Sequence, residues 1–190
     1  MKYSLLLFAL LYAVVVSQMG GWKKGSFAEN DMGIDRAYKK AIEEYSKENP
    51  NADIDSTQRL TIYRQVVNGI NYRMTFIDLK SQLNVIQEYV INTPPYGSPK
   101  RGTFQLYAQA THTPSEQNLD LNDSKVSKIQ KELYKFDKQD MYDINKVEVI
   151  ETELDIFYIV YTKYKNKDRV YVVSQTNGNE YNFETLARLK

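Results

Sequence analysis

The chain has 190 residues, of which 25 are basic and 24 acidic, so its net charge of +1 does not select nucleic acid as a partner. It contains no cysteine, which excludes a thiol nucleophile, a cysteine-ligated zinc site and an iron–sulfur cluster. The length beyond the first segment suits one ordinary domain or two small ones of about 85 to 90 residues each.

The N-terminus predicts a signal peptide over residues 1–17. Lys2 is followed by an unbroken apolar run from Leu5 to Val16 and then by the small residue Ser17. The run is shorter than the about 20 apolar residues that a membrane-spanning helix needs. We therefore expect a product that is secreted or delivered to an endomembrane or lysosomal lumen, with no membrane association once the signal is removed. The alternative is an unusually apolar N-terminal strand.

The first half of the mature chain, residues 18–112, has the pattern of one helix followed by four antiparallel strands. Apolar residues recur at helical spacing ahead of Pro50, at Ile34, Tyr38, Ile42 and Tyr45. From Thr57 onward the period changes to two, as in a sheet with one buried face. Further strands are predicted at 85–92 and 103–110, on either side of a segment rich in proline and glycine.

A second cycle of the same elements follows a polar linker at 113–118. Residues 119–190 contain a helix capped by Asp123 or Ser124, and then strands at about 142–154, 156–164 and 169–175. Gly69-Ile70-Asn71-Tyr72 aligns with Asp155-Ile156-Phe157-Tyr158, 86 positions later. The repetition predicts a tandem duplication with an α+β fold, in which each half packs one α-helix across a four- to five-stranded antiparallel sheet.

The turn between the first two long strands carries the most informative residues, Gln65-Val66-Val67-Asn68-Gly69. With Gln65, Val67 and Gly69 the chain resembles the cystatin family, whose hallmark is a Gln-x-Val-x-Gly hairpin loop. Gly20 and Gly21 stand where that family has an early glycine before its helix. Pro95 and Tyr96 stand where it has a Pro-Trp pair in a later hairpin, with tyrosine in place of tryptophan.

The resemblance implies a reversible competitive inhibitor of papain-like, cathepsin-type cysteine proteases. A trunk and two hairpin loops would plug the active-site cleft as a wedge, and two valines exposed at a hairpin tip would gain about 1.5 to 3 kcal/mol each if a partner buried them fully. Gly69 would let the tip adopt a backbone closed to other residues and allow a close approach. The residues expected to bind the protease are Gly20, Gly21, Gln65, Val66, Val67, Asn68, Gly69, Pro95 and Tyr96.

The second repeat departs from the family pattern at its matching turn. Glu151-Thr152-Glu153-Leu154-Asp155 puts carboxylates where the family has valine and glycine, and burying unpaired carboxylates in an apolar cleft is costly. We therefore predict a degenerate cystatin-like fold there without papain-type inhibition. The alternative for the whole chain is a non-inhibitory cystatin-fold module that binds other proteins.

An enzyme is not expected, because the only histidine, His112, lies between two threonines in the presumed linker and no metal or phosphate motif is present. No cofactor or metal is expected either. Some cystatins also inhibit asparaginyl endopeptidases through an asparagine after the helix, where Asn49 and Asn51 lie. Asn122 begins a glycosylation sequon. The first hairpin loop is a hinge for strand exchange in the family, so a domain-swapped dimer is a further alternative.

Overall fold

A computed structural model describes residues 21–27, 31–79, 85–95, 97–100, 102–138, 143–176 and 183–188. The predicted signal peptide at 1–17, Gly20 and Tyr96 lie outside the described residues. Within them the fold is α+β, with two α-helices and two antiparallel sheets, as the sequence predicts. Neither described helix is long and apolar enough to cross a membrane.

The first sheet has five strands in the order β1-β2-β3-β4-β5, and one α-helix lies between β1 and β2 in the chain. Its strands are β1 Lys23–Lys24, β2 Thr57–Val67, β3 Gly69–Asp78, β4 Ile86–Thr93 and β5 Gln105–His112. Helix α1, Met32–Glu48, begins after the N-cap Asp31, whose carboxylate accepts a hydrogen bond from the Gly33 N–H. All four apolar residues that predicted the helix are buried, which confirms the periodicity.

The second sheet has four strands in the order β6-β7-β8-β9. They are β6 Asp143–Glu151, β7 Asp155–Tyr164, β8 Lys167–Thr176 and β9 Phe183–Arg188, and each pairs antiparallel with the next. Helix α2, Ser124–Asp137, is capped by Asp123, which is one of the two predicted caps. A short 3-10 helix, Ile54–Ser56, precedes β2.

The described chain forms two compact units. Unit 1 takes the described residues up to Asn51 together with Thr61–Thr75 and Glu88–Ala110. Unit 2 takes Ala52–Leu60, Phe76–Gln87 and the described residues from Thr111 onward. The predicted division into 18–112, 113–118 and 119–190 stays a prediction.

Unit 2 contains two apolar clusters. In one, Ile129 and Leu133 of α2 pack against Tyr158 and its neighbours in the second sheet. In the other, Phe157 and Ile159 of β7 pack with three residues from the ends of β2, β3 and β4, namely Leu60, Ile77 and Ile86. The core of unit 2 is therefore built from stretches that are distant in sequence.

Several elements differ from the sequence-based prediction: strand β6, for example, ends at Glu151 and not at 154, and β1 was not predicted. Strand β5 begins at Gln105 and continues through His112, two residues later at each end than the predicted 103–110. Strand β9 was not predicted, because Phe183–Arg188 lacks a regular apolar alternation. Its Phe183 and Ala187 are nevertheless buried, so tertiary packing decides the strand there.

Candidate functional site

The β2–β3 turn presents an apolar tip. A single residue, Asn68, separates the two strands, and it is exposed. Val66 is 65% exposed, whereas Val67 is half-buried. The turn therefore exposes one valine and not the two that the sequence predicted, because Val67 is partly covered by the rest of the chain.

The backbone conformation and the close neighbours of Gly69 both require glycine at this position. Its φ of +112° is a backbone conformation that residues with a Cβ rarely adopt. A Cβ at this position would lie 2.1 Å from the Thr93 carbonyl oxygen and 3.2 Å from the Pro94 carbonyl carbon. Gly69 is also buried. The close approach that the glycine permits is thus made by the end of β4, immediately before Pro95.

Three amide side chains tie the base of the first turn to β4. The Asn92 Nδ2 group donates to Asn71 Oδ1 at 2.6 Å, and Asn71 Nδ2 lies 3.5 Å from Gln65 Oε1. Asn71 is buried, so its hydrogen bonds replace contacts with water. Gln65, a residue expected to bind the protease, accordingly has a partner within its own chain.

The trunk is the segment before α1, of which residues 21–27 are described. Going back from Lys24 to Lys23, it runs along β2 toward the β2–β3 turn. Lys23 pairs with Arg64 and Lys24 with Tyr63 in antiparallel register. That pairing ends at Lys23, so Gly21 lies two residues before the paired part of the trunk. Gly21 is exposed, and a Cβ there would meet nothing within 4 Å.

Trp22 fixes the trunk beside the sheet. Its half-buried ring lies under the Arg73 guanidinium, whose central carbon is 5.5 Å from the ring centroid. Arg73 itself bonds Glu88 Oε1 through Nε at 3.0 Å and Nη2 at 2.8 Å. The trunk is therefore anchored one residue after Gly21.

An apolar groove of about 530 Å³ within unit 1 brings together four of the predicted site residues, whereas Gly21, Gln65 and Asn68 are not part of its lining. Val66, Val67, Gly69 and Pro95 all line it. Further lining residues come from the start of α1, from β3, from the end of β4 with the residue after it, and from the segment before β5: Met32, Gly33, Arg36, Ile70, Tyr72, Thr93, Pro94, Gly102 and Phe104. We call this feature the unit 1 groove.

The start of α1 forms one wall of the unit 1 groove. A Cβ at Gly33 would lie 2.3 Å from the Tyr72 hydroxyl oxygen, so only glycine lets the helix come this close to β3. Asp31 holds the helix start from the other side, since it accepts from Arg64 Nη1 at 2.8 Å. Burial, and then the charge of Asp31, raise the pKa of Tyr72. The phenol therefore stays neutral beside the groove.

Met32 and Phe104 are groove residues that sequence reasoning missed. Met32 is 72% exposed, an unusual position for a large apolar side chain. The Phe104 ring centroid lies 6.3 Å from that of Tyr72. The sequence does show that Met32 is an apolar residue outside the buried stripe of α1. It does not show that Met32 lies near Val66, because the two residues are far apart along the chain.

The matching turn of unit 2 is closed by its own hydrogen bonds. The Thr152 N–H and hydroxyl both donate to the Asp155 carbonyl oxygen, at 2.8 and 3.0 Å, and the Asp155 N–H donates to Thr152 Oγ1 at 3.0 Å. Asp155 is buried, whereas Glu151 and Glu153 are exposed. This tip offers carboxylates where the unit 1 tip offers valine.

Other predicted positions lie outside the groove. Asn49 caps α1, with its Nδ2 group 3.1 Å from the Tyr45 carbonyl oxygen, while Asn51 is exposed in the following turn. Asn122 is exposed, and its Nδ2 group donates to Asp120 at 3.1 Å. The prediction that His112 lies in a linker is wrong, because His112 is the last residue of β5. Across the described residues, no three metal-ligating side chains lie together in a way that could hold an ion.

No protein-family model matches the chain, and the search of curated proteins gives no match either. The cystatin resemblance therefore stays a prediction carried by the motif residues.

Proposed function

We propose that the chain is a reversible competitive inhibitor of papain-like cysteine proteases, acting in a secreted or lumenal compartment. In this proposal the two halves are tandem cystatin-like domains, and the first is the inhibitory one. The observation that supports it most directly is that one groove is lined by residues of both predicted hairpin loops, namely Val66, Val67, Gly69 and Pro95.

The exposed apolar surface at that end suits a cleft that reads extended peptides. Val66 would enter the cleft beside the catalytic thiol, and Pro95 would bring a rigid second edge at small entropic cost. Gly21 would let the trunk turn away from the thiol, so that no peptide bond is presented for cleavage. The side-chain hydrogen bonds of Asn71 and the close packing of Gly69 against β4 hold the two loops in place before binding. Loops that are already ordered lose less conformational entropy when the complex forms.

Unit 2 is not proposed to inhibit such proteases. Its exposed Glu151 and Glu153 put two carboxylates at this tip, and transferring carboxylates from water into an apolar cleft is costly.

The test is a titration of active-site-calibrated papain and a lysosomal cathepsin with the mature chain. Inhibition whose apparent constant rises linearly with substrate concentration is the expected result. Binding to papain whose thiol has been alkylated with a small group should persist, because the wedge needs no covalent bond. If no papain-like protease is inhibited at micromolar concentration by folded protein, the proposal is wrong.

A second candidate function is a non-inhibitory binding module with the same fold. It is favoured by the internal role of Gly69, since the contact with Thr93 gives the fold its own reason to keep that glycine. Under this candidate the unit 1 groove would bind a protein ligand, and papain titration would give no inhibition while Val66 variants would still alter ligand binding.

A further inference from the structure

Strand β5 is an edge strand of the first sheet. It lies last in the strand order, and no described strand pairs with its outer side. Seven of its eight residues are exposed, including Leu106 at 37% and Tyr107 at 73%. An edge of this kind offers a row of unpaired N–H and C=O groups to another strand.

The sequence of β5 lacks the features that usually protect such an edge. Soluble proteins block edge strands with lysine, proline, bulges or inward-pointing charges. Gln105-Leu106-Tyr107-Ala108-Gln109-Ala110-Thr111-His112 contains no acidic residue, lysine, arginine, proline or glycine, although 26% of the chain is charged. The eight residues therefore form an uncharged, regular strand that another strand can join.

Side-chain contacts hold β5 as a preformed strand. Gln109 donates to the Glu48 carboxylate at the end of α1, and the Thr111 hydroxyl donates to Gln87 Oε1 at 2.9 Å. Both contacts lie on one face of the strand because successive side chains alternate. Leu106, Ala108 and Ala110 then lie on the other face. A strand that is already ordered has little conformational entropy left to lose on pairing.

We propose that β5 pairs antiparallel with β5 of a second copy of this chain, joining two five-stranded sheets into one continuous sheet. An antiparallel edge pair with two-fold symmetry sets one residue directly opposite its own counterpart. For an eight-residue strand that residue is Ala108 or Gln109 at the middle, and both are uncharged. Like charges would oppose such self-pairing, and β5 carries none.

A second copy fits this edge better than a charged partner. The net charge of +1 gives two copies little mutual repulsion. The area that eight residues can bury is below the roughly 1,200 Å² of a standard interface, so a weak dimer in rapid exchange with the monomer is expected. Such a dimer differs from a strand-exchanged dimer, which must unfold to dissociate.

Sedimentation velocity of the mature chain over a wide concentration range is the first measurement. We expect a concentration-dependent, rapidly reversible monomer–dimer equilibrium, weakened at least tenfold by Ala108→Lys, because lysine on an edge strand opposes pairing. Ser127→Lys adds the same charge on the exposed face of α2 and should leave the equilibrium unchanged. Circular dichroism checks that both variants fold.

Disulfide trapping is the second measurement, and the absence of native cysteine makes it unambiguous. Of Ala108→Cys and Gln109→Cys, the variant at the symmetry position should form disulfide-linked dimers under mild oxidation, and Ser127→Cys should not. A chain that stays monomeric throughout the range overturns the proposal, and so does one that pairs its β5 edge only with another protein. A dimer that exchanges slowly, resists Ala108→Lys and gives no crosslink would be a strand-exchanged or other dimer, and would overturn it equally.

Discussion

Replacing Val66 separates binding from folding more cleanly than any other change at the site. The side chain is 65% exposed, so the folded protein gains little from it. Truncation to alanine removes about two methyl groups, worth about 0.8 kcal/mol each when buried, and two-thirds of that surface is available to a partner. Val66→Ala should therefore weaken protease binding by about 1 kcal/mol, or about fivefold.

Val66→Asp adds the cost of burying a carboxylate, which exceeds the about 1 to 3 kcal/mol of a neutral polar group, so the expected loss is at least about 3 kcal/mol. The inhibition constant for papain should rise on the order of a hundredfold. Urea unfolding should move by no more than about 0.5 kcal/mol, as is usual for surface changes. The matched control is Leu121→Asp, which alters a 44% exposed leucine in unit 2 and should leave inhibition unchanged. If Val66→Asp inhibits as well as the parent protein, Val66 lies outside the interface and the wedge mechanism fails.

Three further predictions concern stability, each measured by denaturant unfolding. Gly69→Ala should cost roughly 2 to 4 kcal/mol from its positive φ and the clash with β4, whereas Gly97→Ala, which has positive φ but open space, should cost about 1 kcal/mol; equal losses would contradict the clash. Burial, and then nearby carboxylates, raise the pKa of Tyr158 to about 12, so the stability from its neutral form is complete below pH 10 and lost as pH rises toward 12, at up to about 1.4 kcal/mol per pH unit; Tyr158→Phe should flatten that decline, and an unchanged slope would refute the assignment. Arg73→Met should cost about 3 to 5 kcal/mol by leaving the buried Glu88 carboxylate without its guanidinium, and Arg73→Met with Glu88→Leu should recover much of the loss; no recovery would argue against an uncompensated charge.

The local sequence pattern was sufficient to predict the elements whose buried residues recur at a regular helical or strand spacing. Helix α1 was predicted from its buried stripe, and α2 from its stripe and the cap at Asp123, because amphipathic spacing and capping act within a few residues. Strand β9 was missed because its burial depends on β8 and α2 rather than on its own alternation.

Long-range packing was beyond what the sequence could predict. In the sequence, three apolar residues are ordinary members of the first sheet: Leu60, Ile77 and Ile86. In the structure they complete an apolar cluster of unit 2 with Phe157 and Ile159. A fragment that begins after residue 112 would lack those three side chains. Functional comparison of the halves is consequently weaker than point substitution in the full chain, since loss of activity in a fragment would not distinguish a missing site from a missing core.

The motif residues carry unequal weight for function once their contacts are known. Gly69 and Gln65 each have an internal partner, so the fold alone would retain them. Val66 differs, because a strand end accepts a polar residue at little cost, and a valine exposed there gains nothing from folding. Selection for a partner is the simplest physical reason to keep it, and the neighbouring exposed Met32 extends the same apolar surface onto α1. The exposed valine is therefore the part of the motif that best distinguishes an inhibitor from a non-inhibitory protein of the same fold. The glycine is required mainly by the fold itself.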